Sequence, residues 1–492
     1  MGETCFLRGT MTGLFATYWA EILAVLSIVM GTVAAVHAAM TKRDVRSAIG
    51  WVGIIVLSPL IGALIYAVAG INRVRRKSLI SRRSRRFEEL WKRLSEYGVP
   101  REAIASEFGS GMAALKSLGD TVGHHALLSG NRIEVLHTGS ETYAAICAAI
   151  DAAERSVILE TYIFDRDPTG KRVADCLAAA VGRGVEVRVL VDAVGARYSV
   201  PSIIGYLKDR GVPVASFNGK VIVGMRLPYA NLRTHRKIVV VDGKVAFMGG
   251  MNIRAAFEGD HAARDTHFRV TGPVVADIFA VAAEDLNFET GEVLTGVAWQ
   301  MAVDDGVQGG PAFARAIVSG PDSNIETNHK ILMGAFSVAE KSIRIMSPYF
   351  LPDNILLAAL FTAARRGVVV EIVVPSQNNL AIVSHAMTSQ FAQILKEGCR
   401  IYSAQGPFDH SKLLTVDGQW SFVGSSNLDS RSLRLNFEID MEVFDRDFAA
   451  AIDARIDSAL DDAEALSFDA LQAQPFVVRF INRIFWLGSP YL

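Results

Sequence analysis

His235, Lys237, Asp242 and Asn252 recur further along the chain as His410, Lys412, Asp417 and Asn427. In both copies the His, the Lys, the Asp, a glycine (Gly249, Gly424) and the Asn keep identical offsets. A lone His-x-Lys carries little information, but a doubled five-position pattern points to one chemistry. The residues around each copy are apolar and largely β-branched, so each reads as a strand, where side chains at i and i+2 share a face. His235 therefore projects with Lys237, and His410 with Lys412. Two imidazoles, two ammonium groups and two amides at one cleft suit a phosphate group. The lysines and asparagines would donate to non-bridging oxygens and stabilise the charge of the transition state. A neutral imidazole can attack phosphorus, and a protonated one can protonate the leaving oxygen. With an imidazole pKa of about 6.5, one of the pair can be neutral and the other charged. The roles then reverse, and the second His deprotonates an incoming hydroxyl. No convincing metal-ligand spacing accompanies the motif, so neither metal nor cofactor is expected.

Asp242-Gly243 and Asp417-Gly418 are turn dipeptides. The motif makes both aspartates members of the candidate catalytic set, yet alternation puts them on the opposite strand face, where capping the turn is the expected role. The small residues after the returning strand would let backbone N–H groups approach an anion. Asp265 and Glu438 each begin a strand downstream of their own motif copy. A carboxylate behind an imidazole fixes its tautomer and stabilises its cation. Proximity along the chain assigns Asp265 to His235 and Glu438 to His410. His261 and His267, which flank Asp265, read as structural.

Positioning these groups falls to alternating strands and helices from about residue 130 onward: strand 131–137, helix 140–153, strand 156–164, helix 171–183, strand 185–191. This is an α/β sandwich with a largely parallel sheet. The order recurs. Glu154-Arg155-Ser156 ahead of Tyr162-Ile163-Phe164 is matched by Glu340-Lys341-Ser342 ahead of Tyr349-Phe350-Leu351. The repeat is a domain, so two pseudo-two-fold-related halves, 129–305 and 306–492, are expected to share one cleft.

The rest of the chain reads as a membrane attachment. Half of the 492 residues are hydrophobic, and the net charge of −1 offers no global field for nucleic acid, which is not an expected partner. The four scattered cysteines form no disulfide framework. Residues 14–40 are apolar apart from Glu21 and His37, and residues 47–70 carry no charge. Both runs are long enough to span a bilayer, which predicts a two-helix hairpin within residues 1–72. A basic cluster follows at residues 73–86, and the positive-inside rule places it and the later chain in the cytoplasm. Residues 73–128 read as a basic, amphipathic linker contacting anionic lipid, with Phe87, Leu90, Trp91 and Leu94 lying on the membrane. The apolar segment 476–487 reads either as a further interfacial helix or as a helix docked on the core.

The doubled His-x-Lys-x4-Asp motif resembles the phospholipase D superfamily. The N-terminal runs with Ser58-Pro59-Leu60-Ile61-Gly62, the Ser347 to Asp353 stretch, the Asn427-Leu428-Asp429-Ser430-Arg431-Ser432 run and the closing Leu487 to Leu492 resemble bacterial cardiolipin synthases. The resemblance implies phospholipase D-like halves behind a multi-pass anchor in the bacterial inner membrane. It implies phosphatidyl transfer between two phosphatidylglycerol molecules, giving cardiolipin and glycerol through a phosphatidyl-histidine, with His235 the nucleophile by the superfamily's usual order. A lipid hydrolase, or a phosphatidyltransferase with another alcohol acceptor, would use the same residues. A nuclease sits poorly with the apolar runs, and a non-catalytic scaffold sits poorly with two intact motif copies.

Overall fold

A computed structural model describes residues 3–42, 45–70, 88–123, 125–218, 232–301, 309–321 and 324–489. The chain divides into an N-terminal unit ending at Val74 and a larger unit that carries both motif copies.

In the N-terminal unit one helix, Glu3–Thr41, contains a 24-residue stretch, Tyr18–Thr41, long and apolar enough to cross a membrane. The second apolar run differs from the expected single span. It forms two shorter helices, Val45–Leu57 and Pro59–Ile65, followed by a π-helical turn, Tyr66–Gly70. Pro59 has no N–H to continue the first of them, and Ser58 leaves the helical region at φ −146°. Both segments fold back on the long helix. A β-carbon at Gly31 would lie 2.7 Å from that of Pro59, so glycine permits the closest approach. The Tyr66 hydroxyl hydrogen-bonds His37 Nδ1 at 2.8 Å beside buried Ala38 and Ile55. The basic cluster at 73–86 lies outside the described residues, as does Phe87.

In the larger unit the repeat folds into one continuous sheet rather than two separate ones. The first half supplies β1 (Leu128–Leu136), β2 (Ser156–Thr161), β3 (Glu186–Asp192), β4 (Val214–Phe217), β5 (Lys237–Val241), β6 (Val245–Gly249) and β7 (His267–Thr271). The second supplies β8 (Ala312–Ser319), β9 (Ser342–Met346), β10 (Val369–Pro375), β11 (Arg400–Ala404), β12 (Leu413–Val416), β13 (Trp420–Gly424) and β14 (Asn436–Phe444). Inside a short edge strand, Glu464–Ala465, that pairs with β11, the order across the sheet is β11-β10-β9-β12-β13-β14-β8-β1-β7-β6-β5-β2-β3-β4. Read inward from either edge, equivalent strands follow in the same sequence, and the halves meet at the antiparallel pair β1–β8. The sheet is mixed: β2–β3–β4 and β9–β10–β11 are parallel, whereas the motif strands run antiparallel to their neighbours. The tight Asp-Gly turn makes that unavoidable, because a two-residue connection can only join antiparallel strands.

Strand alternation sorts the side chains into layers on the two faces. Ile158, Ile238, Val240 and Met248 join Ile439, Met441 and Val443 in one core under the helices Val274–Thr290 and Arg446–Leu460, a layer common to both halves. Val157, Leu159, Val239 and Phe247 face the other way into the first half's own core, and Ile343, Ile345, Leu414 and Trp420 do the same in the second. The segment before β1 is also committed to this unit. Leu94 is buried and Leu90 and Trp91 pack against the shared core, so that stripe faces protein rather than a membrane. Ile104, Phe108, Met112 and Leu115 fill the second half's core.

Both motif aspartates sit at hairpin turns with left-handed backbone, Asp242 at φ 53° and Asp417 at φ 56°, each followed by a glycine at φ 63°. Two successive positive φ values define the type I′ turn that suits strand twist. The Asp242 carboxylate accepts the N–H groups of Glu154, Arg155 and Ser156 at 2.8–3.0 Å. Asp417 does the same for Glu340, Lys341 and Ser342 at 2.7–2.9 Å. Each aspartate thus ties its hairpin to the start of the neighbouring strand. Asp242→Ala leaves one buried and two part-buried donors unpaired and should cost about 3 kcal/mol. Asp417→Ala, whose partners are more exposed, should cost about 1 kcal/mol. Thermal unfolding would check this, and equal shifts for the two variants would contradict it.

Candidate active site

Each motif histidine stands just before its strand, on a segment that hydrogen-bonds to the opposite half. Arg233 and Thr234 pair in parallel with Asn436 and Phe437, and the His235 N–H donates to the Phe437 carbonyl at 2.8 Å. In the mirrored arrangement Arg264 bridges Asp409 in parallel, and the His410 N–H donates to the Arg264 carbonyl at 2.7 Å. Asp265 follows Arg264, and Glu438 follows Phe437. The backbone exchange therefore delivers each carboxylate to the other half's histidine. His235 Nδ1 lies 2.9 Å from Glu438 Oε2, and His410 Nδ1 lies 2.8 Å from Asp265 Oδ2. This corrects the assignment by sequence proximity: Asp265 serves His410, and Glu438 serves His235. Distance along the chain was the wrong measure, because the strand leading into each carboxylate runs beside the partner half's motif.

Both carboxylates are fully buried and further held. Glu438 accepts from Ser425 Oγ at 2.6 Å and Asn436 Nδ2 at 3.1 Å, and Asp265 accepts from the Thr266 N–H at 2.8 Å. A β-carbon on Gly250 would lie 2.3 Å from Asp265 Oδ1. The glycine-rich loop therefore makes room for this carboxylate, a different use from the anion cradle expected of it. A carboxylate at Nδ1 holds the proton there and leaves Nε2 with its lone pair free to react.

The lysines complete the cluster. Lys237 Nζ donates to the His235 carbonyl at 2.6 Å, and Lys412 Nζ donates to the His410 carbonyl and lies 2.8 Å from its Nδ1. Burial lowers Lys237 to about 7 and Lys412 to about 8, against the pull of the carboxylates, and each ammonium also weighs on the groups of the other copy. Burial pushes His410 well below the ordinary imidazole value, and Lys412, Lys237 and His235 push it further. Burial also lowers His235, against the pull of Glu438. Burial works to raise Glu438, but His235 and Lys237 hold it below the usual carboxylate range. Each member of the His235 and Glu438 pair thus favours the charged form of the other, and burial opposes both.

Asn252 and Asn427 are buried beside these strands. Asn252 Oδ1 accepts the Ile163 N–H at 3.1 Å, which leaves its amide donors for a ligand, while Asn427 Nδ2 reaches Ser432 Oγ at 3.3 Å. Asp242 and Asp417 lie at the far end of their strands, tied to backbone amides, so they are corrected from catalytic candidates to turn caps. His261 is exposed, and His267 is buried, lowered by that burial to about 4. Among the described residues no group of three or more His, Cys, Asp or Glu could hold a metal ion.

Two site residues escaped the reading of the motifs. Tyr162 meets His235 edge-on at 5.2 Å with Lys237 Nζ 5.7 Å from its ring centre, and Tyr349 meets His410 edge-on at 6.0 Å. Their signal was present, since Tyr162-Ile163-Phe164 and Tyr349-Phe350-Leu351 align in the repeat, but ring contacts leave no trace in spacing.

Removing either orienting carboxylate should cost turnover roughly 10²- to 10⁴-fold, as loss of a tautomer-fixing carboxylate does elsewhere. Asp265→Asn and Glu438→Gln keep volume and test this by steady-state rate. A loss confined to one of them would contradict a symmetric pair.

Comparisons with known proteins bear on the family and the fold. A family model described as "Cardiolipin synthase, PLD-like domain" matches residues 146–264 and 332–460, once in each half, and one described as "Phospholipase_D-nuclease N-terminal" matches residues 22–70. A cardiolipin synthase of Alkalihalophilus pseudofirmus is 31% identical over 459 residues, covering 92% of this chain and 90% of that protein. A cardiolipin synthase A of Pseudomonas putida is 32% identical over 471 residues, covering 94% and 96%. The crystal structure of a phosphatidylserine synthase from Haemophilus influenzae matches 77% of this chain and 100% of its own, with a TM-score of 0.60 and 16% identity, a likeness of fold alone. With a doubled domain, a paired site and relatives matched over most of its length, the chain belongs to the family of cardiolipin synthases built from phospholipase D-like domains.

Proposed function

We propose that the chain transfers a phosphatidyl group from one phosphatidylglycerol to another, giving cardiolipin and glycerol through a phosphatidyl-histidine. The observation that carries this reading is the crossed pair of carboxylate-held imidazoles, each with a buried lysine beside it. His235 Nε2 attacks phosphorus, and the P–O bond to glycerol breaks. His410, protonated, gives its proton to the departing glycerol oxygen. The phosphodiester anion offsets the lysine charges that disfavour the His410 cation, so binding itself prepares the acid. Lys237, Lys412 and the Asn252 amide stabilise the non-bridging oxygens. His410, now neutral, takes the proton of the second phosphatidylglycerol's hydroxyl, whose oxygen attacks phosphorus and breaks the P–N bond. His235 leaves as it began.

The membrane reading supports lipid substrates. The apolar helix Tyr18–Thr41 attaches the chain to a bilayer. We place the folded-back segments Val45–Leu57 and Pro59–Ile65 as the second arm of the anchor, with the larger unit in the bacterial cytoplasm and the 73–86 cluster against anionic lipid.

Purified protein in phosphatidylglycerol vesicles should release glycerol and cardiolipin in equal amounts. Phosphatidic acid as sole product would replace the transferase with a hydrolase. His235→Ala and His410→Ala should each abolish transfer, and acid-quenched His410→Ala should retain lipid bound to His235 after the slowed first step. Lipid trapped on His410 in the reciprocal variant would reverse the assignment. The pH dependence follows from the lysines. Their cations are lost as pH rises through about 7 and about 8, so kcat/KM should fall on that alkaline side. A profile flat to pH values well above 8 would contradict charged lysines at the phosphate.

A further inference from the structure

The C-terminal helix Phe476–Leu487 is docked by one face only. Asn482 is buried, and its Oδ1 is 2.8 Å from His385 Nδ1 on the helix Ala381–Lys396. The His385 ring stacks on Phe485 at 5.4 Å, and Phe485 and Trp486 pack against the second half's core. The opposite face holds Phe476, Val477, Phe480, Ile484 and Leu487, which are 72, 63, 53, 49 and 69% exposed. These fall within about a third of the helix circumference at 3.6 residues per turn. Arg479 and Arg483, both exposed, border that stripe, and no acidic residue lies between Phe476 and Leu487. A water-facing helix would not keep such a stripe uncovered. The segment opening the helix Ala381–Lys396 adds Leu380 and Ile382, each about half exposed. Just before Leu380, Asn379 accepts the Tyr349 hydroxyl at 2.7 Å, and Tyr349 lies against His410. Leu380 is therefore linked to His410 through its neighbour Asn379 and Tyr349.

We propose that the outer face of Phe476–Leu487, with Leu380 and Ile382, lies in the headgroup layer of an anionic bilayer and sets the His410 side of the cleft at the lipid surface. Two features favour a bilayer over a second copy of the chain. The arginine border with no acid complements anionic headgroups, and the same chain carries a helix long and apolar enough to cross a membrane. Depth in a membrane is a separate matter from the transfer reaction.

The test uses the full-length chain with its four cysteines replaced, reconstituted in vesicles of phosphatidylcholine and phosphatidylglycerol. Nitroxide labels are placed at Phe480→Cys, Ile484→Cys and, as an exposed control, Glu464→Cys. Labels at 480 and 484 should be relaxed by oxygen and shielded from a water-soluble nickel chelate, with the reverse at 464. Nickel access at all three positions would overturn the proposal. So would spin–spin broadening at 480 between labelled copies, which would assign the face to self-association. In unlabelled protein, Arg479→Glu with Arg483→Glu should lower transfer several-fold on bilayer phosphatidylglycerol while leaving dispersed short-chain phosphatidylglycerol unaffected. Equal loss on both substrates would contradict a membrane role for the arginines. Because the label readout needs no turnover, it stands whether or not the chain proves to be a transferase.

Discussion

The hydrogen bond from each motif imidazole to a carboxylate of the opposite half is the constraint around which the larger unit is built. Neither half contains a finished site. Glu438 reaches His235, and Asp265 reaches His410, only because the segment before each motif strand pairs with the segment that carries the other half's carboxylate. Burying several ions in a medium of low dielectric costs several kcal/mol per ion unless each is paired and hydrogen-bonded. The two histidines meet that demand across the halves, and each carboxylate is also held within its own half, Glu438 by Ser425 and Asn436 and Asp265 by the Thr266 amide. The continuous sheet across β1 and β8, and the core shared beneath two helices, keep that exchange rigid.

Much of this was legible in the residues. The strand–helix alternation, the duplicated domain and the identity of the His, Lys and carboxylate residues follow from periodicity and repetition. What failed were inferences about partners in space. Asp265 and Glu438 were recognised as carboxylates for the histidines but assigned by distance along the chain, which says nothing about exchange between halves. The motif aspartates carried the family's emphasis, yet strand alternation put them at the turn, and three amide donors on each confirm a cap. Leu90, Trp91 and Leu94 have a spacing that serves a membrane face and a core face equally well, and burial decided for the core. The second apolar run has the composition of a span, but Pro59 interrupts its hydrogen bonding.

The buried lysines join architecture to chemistry. Their ammonium groups are buried at a cost, which is why both pKa values fall toward neutrality. In the proposed reaction a phosphodiester at the lysines relieves that cost, so part of the stabilisation is released only when the negative charge arrives. The same charge makes it easier to protonate an imidazole that the resting site keeps neutral. The proposed reaction would thereby couple binding, protonation and attack through one electrostatic balance.

The crossed pairing can be observed directly through the imidazole nitrogens. With histidine labelled by 15N in micelle-solubilised protein, the His235 and His410 signals can be assigned from single His→Gln variants. Asp265→Asn should move the Nδ1 resonance of His410 and leave that of His235 close to its original position, and Glu438→Gln should do the reverse. If Asp265→Asn instead disturbed His235 alone, each half would serve its own histidine, and the account of one site built by exchange between two halves would be wrong.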